Sequence, residues 1–152
     1  MIHKQYKATK RLTIPVGHRL SKHLGRCKNW HGHNFDILIS VSSHELNDND
    51  MVMDFSDLKK IAMTIIDDWD HCLLINENDP IAKNEEFRKE FRIITFPFDP
   101  TAERMSEILY ANISSELQKD HKHIHLDEVT VFENENSNTS FKLVDTPIFG
   151  SI

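Results

Sequence analysis

The order of hydrophobic patterns along this chain predicts an α+β fold, an antiparallel sheet of two hairpins with two helices packed on one face. Period-two alternation near both ends marks strands. Two apolar stripes at helical spacing lie between them, and turn-rich stretches separate the parts. No internal repeat, low-complexity run or linker divides the sequence, so residues 1–152 are read as a single domain.

Residues 5–16 mix β-branched and polar side chains and predict a first strand, which Pro15 is expected to end. His18 falls at that strand's end or in the next loop. Residues 19–30 carry Arg19, Lys22, Arg26 and Lys28 around the turn signal Gly25. Those charges read as a solvated loop or as a basic rim. Residues 33–43 alternate well. Phe35, Ile37, Ile39 and Val41 share a face, and the same rule carries His31 and His33 onto it. Residues 45–50 compose a turn, and Met51–Asp54 a short strand or edge segment. Asp54 or Ser56 caps a helix over 56–69, whose face is Leu58, Ile61, Ala62, Ile65, Ile66 and Trp69.

Residues 72–98 read as a long connection in which 93–96 can add a short strand. Asp99 is expected as the cap of the next helix, with Pro100 at its first position and Glu103 in its first turn. Met105, Ile108, Leu109, Ile113 and Leu117 place that helix over 100–119. Residues 124–133 form a strand on which Val129, Val131 and Glu133 share a face. A turn at 134–138 and a last strand over 139–144 complete the chain.

Bulk composition narrows the function. An apolar share of 39% with nine Phe in 152 residues fits a globular core. No apolar run reaches the ~18 residues that span a membrane. The polar start of the chain lacks a signal core, and two Cys make no disulfide framework, so a reducing cytoplasm is expected. A net charge of −6 argues against nonspecific nucleic-acid binding. A local basic pocket for an anionic small molecule remains compatible with it.

The densest chemistry lies in Cys27–Asn34. His31 and His33 leave one face of a strand, His18 supplies a third imidazole, and Gly32 between them leaves room for a close approach. Three ligands with an open fourth position are the pattern of catalytic zinc. Cys27 is either a fourth ligand, which closes the site, or a thiolate whose pKa is lowered by Arg26, Lys28 and a nearby cation. His121, His123 and His125 also alternate, but their flanks look solvated, and they serve as an internal control. Cys72, beside Leu73 and Leu74, reads as core. Asp70–His71 reads as a carboxylate orienting an imidazole or as a polar helix end. Glu133 needs a donor pair if buried, such as the N–H edge of an aminopyrimidinone, or else ends a strand in water.

Taken in order, these residues resemble the 6-pyruvoyltetrahydropterin synthase / 6-carboxytetrahydropterin synthase family. The resemblance is carried by Gly17-His18-Arg19-Leu20, Cys27-x3-His31-Gly32-His33-Asn34, Met51-Val52-Met53-Asp54-Phe55-x2-Leu58, Asp70-His71-x2-Leu74-x-Asn76, Pro100-Thr101-Ala102-Glu103 and Glu133. It implies the tunnelling fold (T-fold) and a homo-oligomer, commonly a hexamer built as a dimer of trimers, with active sites at subunit interfaces. It implies that His18, His31 and His33 bind Zn2+, that Cys27 is a general base, and that Asp70 and His71 form a second proton-transfer unit. Glu133 would anchor the pterin ring, with Thr101 and Glu103 also at the pterin site. The implied substrate is 7,8-dihydroneopterin triphosphate. The gap of three residues between Cys27 and His31 is similar to the carboxy-forming enzymes of bacteria and archaea, which release acetaldehyde and triphosphate and feed 7-deazapurine (queuosine) synthesis. The animal pyruvoyl enzymes have a longer gap. Arg19, Lys22 and Arg26 are candidates for the triphosphate. Two departures stand out. Ile14-Pro15-Val16-Gly17 replaces the usual aromatic and Ala-Ala, and the connection 77–98 is long. A pyruvoyl-forming enzyme and a non-catalytic zinc protein with Cys27 as fourth ligand are the alternatives.

Overall fold

The computed structural model describes residues 2–145, so residue 1 and residues 146–152 of the expected domain lie outside it. Strands β1 (Tyr6–His18) and β2 (His31–Ser43) pair antiparallel along their whole length, from Tyr6 opposite Ser43 to His18 opposite His31. Strands β5 (His125–Asn134) and β6 (Ser137–Phe141) form the second hairpin, and β5 pairs antiparallel with β2. Helices α1 (Phe55–Ile66) and α3 (Ala102–Asp120) pack on one face of this sheet.

The core face follows from the period-two pattern. Leu12, Ile14 and Val16 of β1, Phe35, Ile37, Ile39 and Val41 of β2, and Val129 and Val131 of β5 are buried against Leu58, Ala62 and Ile66 of α1 and Met105, Leu109, Ile113 and Leu117 of α3. Burying each large apolar side chain contributes about 1.5–3 kcal/mol. The opposite face of the β1–β2 hairpin is polar. There Asp36 takes hydrogen bonds from Arg11 and Thr13, which hold its carboxyl below the usual carboxylate range.

Four local expectations need correction. Pro15 does not end β1, because its backbone faces away from β2. Its carbonyl accepts from His71 N–H at 3.0 Å, and the missing Pro N–H therefore removes no bond from the β1–β2 ladder. Residues 51–54 are not a strand. Asn47 Oδ1 collects the N–H groups of Asn49 and Met51, which curls the chain into a loop, and Asp54 then caps α1 by accepting from Ser56 N–H at 2.7 Å. Asp99 does not cap α3. Thr101 does, accepting from Arg104 N–H at 3.3 Å, and the Asp99 carboxylate is used elsewhere. The last turn is tighter than 134–138, leaving only residues 135–136 between β5 and β6.

The connection 72–98 is also more ordered than a loop. It contains β3 (Leu73–Asn76), the short helix α2 (Glu85–Glu90) and β4 (Ile93–Phe96). β3 runs parallel to β1, and β4 parallel to β3, so the sheet is mixed and ordered β4-β3-β1-β2-β5-β6. A four-residue apolar run such as 73–76 has no readable period, and its partner β1 lies some 55 residues earlier.

Candidate active site

The apolar rows of β1 and β2 end in imidazoles. His18 continues Leu12, Ile14 and Val16, and His33 and His31 continue Ile37 and Phe35. Because His18 sits opposite His31 and Val16 opposite His33, all three rings project from one face at one end of the hairpin. Each offers a nitrogen within 4.8 Å of the others. Phe35 forms the floor, with ring centroids 5.4 Å from His18 and 5.1 Å from His33.

Backbone carbonyls hold two of the rings. His18 Nδ1 lies 2.9 Å from Pro100 O, and His31 Nδ1 lies 2.8 Å from Asn29 O. A carbonyl only accepts, so in each neutral ring Nδ1 carries the proton and Nε2 keeps its lone pair. The Nε2 atoms of His18 and His33 are buried and have no partner. Burial pushes the His18 pKa down to about 4, helped by the other two rings and only partly opposed by the Pro100 carbonyl. A neutral imidazole with a bare, buried Nε2 costs free energy unless something takes that lone pair. The three residues thus fit a divalent cation of the zinc type, with one coordination position to spare.

Cys27 is free and half-buried, in a single 3-10 turn over Arg26–Lys28. Its sulfur is not part of the converging group, which consists of the three imidazoles. The Cys27 carbonyl accepts from Leu20 N–H at 2.9 Å, which folds the thiol's loop back on the segment after His18.

A second pocket, of about 200 Å3, lies past the first turn of α3. Ala102, Glu103, Glu133, Ser137, Asn138 and Thr139 line it. Glu133 reaches it through an irregularity in the β5–β6 pairing between Phe132 and Asn134, of the kind that re-aims a side chain. Thr139 has a buried hydroxyl without a partner, a lining group that no local pattern in the sequence announces. Of the three residues expected at the pterin, the structure brings Glu133 and Glu103 together. Thr101 instead spends its hydroxyl on the α3 cap.

Asp70 and His71 do pair, at 2.8 Å between Oδ1 and Nδ1. His71 has φ of 54°, a left-handed conformation that is uncommon outside glycine. This sharp bend turns the ring back beside its own neighbour. The His71 side chain is 78% exposed and borders an open cleft of about 480 Å3 with Pro15, Val16, Gly17, Gly32, His33 and Asn34. The Asp70–His71 pair thus stands at a cleft that His33 also lines, but it is not part of the converging group of three imidazoles.

Among the basic candidates, Arg19 is committed. Its Nε lies 2.9 Å from Oδ2 of Asp79, whose side chain is fully buried, although the N–H is not aligned along that contact. Its guanidinium also covers the Trp30 ring, and Trp30 stacks on Phe87 of α2. The long connection thus braces the ends of both histidine-bearing strands. Cys72 is core, as expected, and burial pushes its thiol pKa up.

Comparison with known proteins shows the family. Relatives called 6-carboxy-5,6,7,8-tetrahydropterin synthase include one from Aquifex aeolicus, 31% identical over 102 residues, which are 64% of this chain and 63% of that protein. Another, from Rickettsia bellii, is 27% identical over 132 residues, 86% of this chain and 95% of that protein. The match thus spans just under two thirds of the Aquifex relative's length. Among solved structures, an uncharacterized protein of Wolinella succinogenes has a TM-score of 0.78 at 18% identity, over 91% of this chain and 98% of that one. The 6-pyruvoyl tetrahydropterin synthase of Plasmodium falciparum has a TM-score of 0.70 at 19% identity, over 90% and 96%. At these identities the structures share the fold with this chain. The model of the 6-pyruvoyl tetrahydropterin synthase family matches residues 7–143, and the chain belongs to that family.

Proposed function

We propose that the protein converts 7,8-dihydroneopterin triphosphate to 6-carboxy-5,6,7,8-tetrahydropterin, releasing acetaldehyde and triphosphate, as a zinc-dependent lyase. The observation that carries this reading is three imidazoles with convergent lone pairs, together with a free thiol that is not one of them. His18, His31 and His33 would hold the zinc ion, which would supply a Lewis acid to acidify substrate C–H groups next to hydroxyls.

The chain's own residues do the rest. Pro100 and Asn29 hold the His18 and His31 rings so that Nε2 faces the site. Cys27, as thiolate, takes the proton from the substrate side chain. Glu133, with Glu103 beside it, accepts from the amino and ring N–H groups of the pterin, and Thr139 offers its spare hydroxyl in the same pocket. Asp70 fixes the His71 tautomer and supports its proton transfer. The pair stands outside the converging imidazoles, beside an open cleft, and we read a neighbouring copy as completing the site, so that the working unit is a homo-oligomer. We expect a hexamer, a dimer of trimers. Lys22 and Arg26 remain the nearby cations for the triphosphate, since Arg19 is held by Asp79.

The names of the relatives and the short Cys27–His31 gap favour the carboxy product over the pyruvoyl one. We place the reaction in the cytoplasm, in 7-deazapurine (queuosine) synthesis. Among the described residues no helix is long and apolar enough to cross a membrane. Incubating the purified protein with dihydroneopterin triphosphate and analysing the products by mass spectrometry tests the reading. Acetaldehyde with the carboxypterin is the expected result. A pyruvoyl product would assign the sister reaction, and no turnover with zinc firmly bound would favour a structural metal site.

A further inference from the structure

A buried carboxylate stands next to the imidazole cluster without a part in the proposed reaction. Asp99 precedes the residue whose carbonyl holds His18. Its Oδ1 accepts from Ser21 Oγ–H at 2.7 Å and from Asn76 Nδ2–H at 3.0 Å, and its Oδ2 accepts from Lys22 N–H at 2.8 Å. Its carbonyl accepts from Thr101 N–H at 2.8 Å, which fixes the other end of the turn into α3. The donors come from two separate segments, the loop directly after His18 and the end of β3. One side chain thus ties both segments to the peptide that presents the Pro100 carbonyl to His18 Nδ1 at 2.9 Å.

The consequence for His18 is chemical. Neutral imidazole has two tautomers, and only the one protonated on Nδ1 leaves Nε2 free to bind a cation. A carbonyl aimed at Nδ1 selects that tautomer, and it can stay aimed only if its own peptide is held. We infer that Asp99 is a positioning residue for the metal site: by pinning the turn at 99–101 it keeps the Pro100 carbonyl on His18 and so keeps Nε2 available. The inference rests on reading His18 as a metal ligand, but the tautomer can be measured without any metal. Partners of this kind, which orient a ligating histidine, commonly change metal affinity by about 10- to 100-fold when they are removed.

The test uses the full chain with 15N-labelled histidine, stripped of metal, at neutral pH. Long-range 1H–15N spectra of the wild type should show His18 as the Nδ1–H tautomer. Asp99→Asn keeps the shape but sets an NH2 group against one of the three donors, and should yield a mixture of tautomers. Asp99→Ala should go further, and zinc affinity, read by competition with a chromogenic chelator, should fall about 10- to 100-fold. An unchanged His18 tautomer in folded Asp99→Asn overturns the inference, whatever its melting temperature. If Asp99→Ala does not fold, Asp99→Asn decides alone. A wild-type chain that takes up no zinc defeats the metal reading instead, and the tautomer still decides the role of Asp99.

Discussion

Two runs of alternate histidines occur in this chain, and they have different fates. His31 and His33 lie on a regular strand whose inward face is already apolar, and His18 meets them from the paired strand. His121, His123 and His125 have the same spacing but no such support. His121 follows the last turn of α3, His123 lies in the turn after it, and His125 begins β5 exposed to solvent. The first two rings are 6.5 Å apart and tilted. Among the described residues, the one group of three or more converging ligands is the first. Equal spacing delivers side chains to one face only where the backbone is regular, and a third ligand must come from a neighbouring strand in register.

Breaking the first run gives the largest expected effect. His18→Ala should abolish zinc binding and turnover together, measured as metal content per chain and product formed. Cys27→Ala comes next. Turnover should fall by about 10^2- to 10^4-fold, the usual range for a lost general base, while metal content stays at the wild-type level. Metal lost in proportion to activity would make Cys27 a ligand.

A third effect appears in stability against pH. The folded state holds the His18 pKa at about 4, against 6.5 for a free imidazole. Between those values the unfolded chain binds a proton that the folded one refuses. Stability of the metal-free protein is therefore fully present above pH 6.5 and is lost as pH falls toward 4, by up to about 3 kcal/mol. Urea denaturation from pH 7.5 to 4.5 measures it, and His18→Gln should flatten the acid slope. If the slope survives that change, burial of His18 is not its source.

Gly17→Ala sharpens the comparison from the opposite face. A Cβ there lies 2.5 Å from a methyl of Leu73, the end of a side chain that can turn aside, so the cost is expected to be that of one off-rotamer side chain, about 0.5–1.5 kcal/mol, read by thermal melting. Replacing His121, His123 and His125 together by Ala should leave metal content and turnover unchanged, which makes the smallest effect the control for the largest.

Much of this was legible in the sequence. β-Branched composition placed β1, period-two alternation placed β2 and β5, helical spacing placed α1 and α3, and the strand rule put His31 and His33 on the core face. The failures share a cause. Asp99 looks like a helix cap because its neighbours are Pro100 and Thr101, but its carboxylate is claimed by Ser21 and Asn76, which are far away in sequence. Likewise, β3 reads as a loop because its partner β1 is remote. Thr139 gave no sign, since a hydroxyl facing a pocket is written like any strand threonine.

The candidate ligand types, and the shared face of His31 and His33, were set by local chemistry: residue identity and a two-residue repeat suffice. Tertiary structure alone decided which nitrogen of His18 is bare, that the Asp70–His71 pair stands outside the converging imidazoles, and that Arg19 serves Asp79. Each depends on a partner brought in by strand pairing or by the turn into α3, and contacts between distant segments leave no periodic trace in the chain.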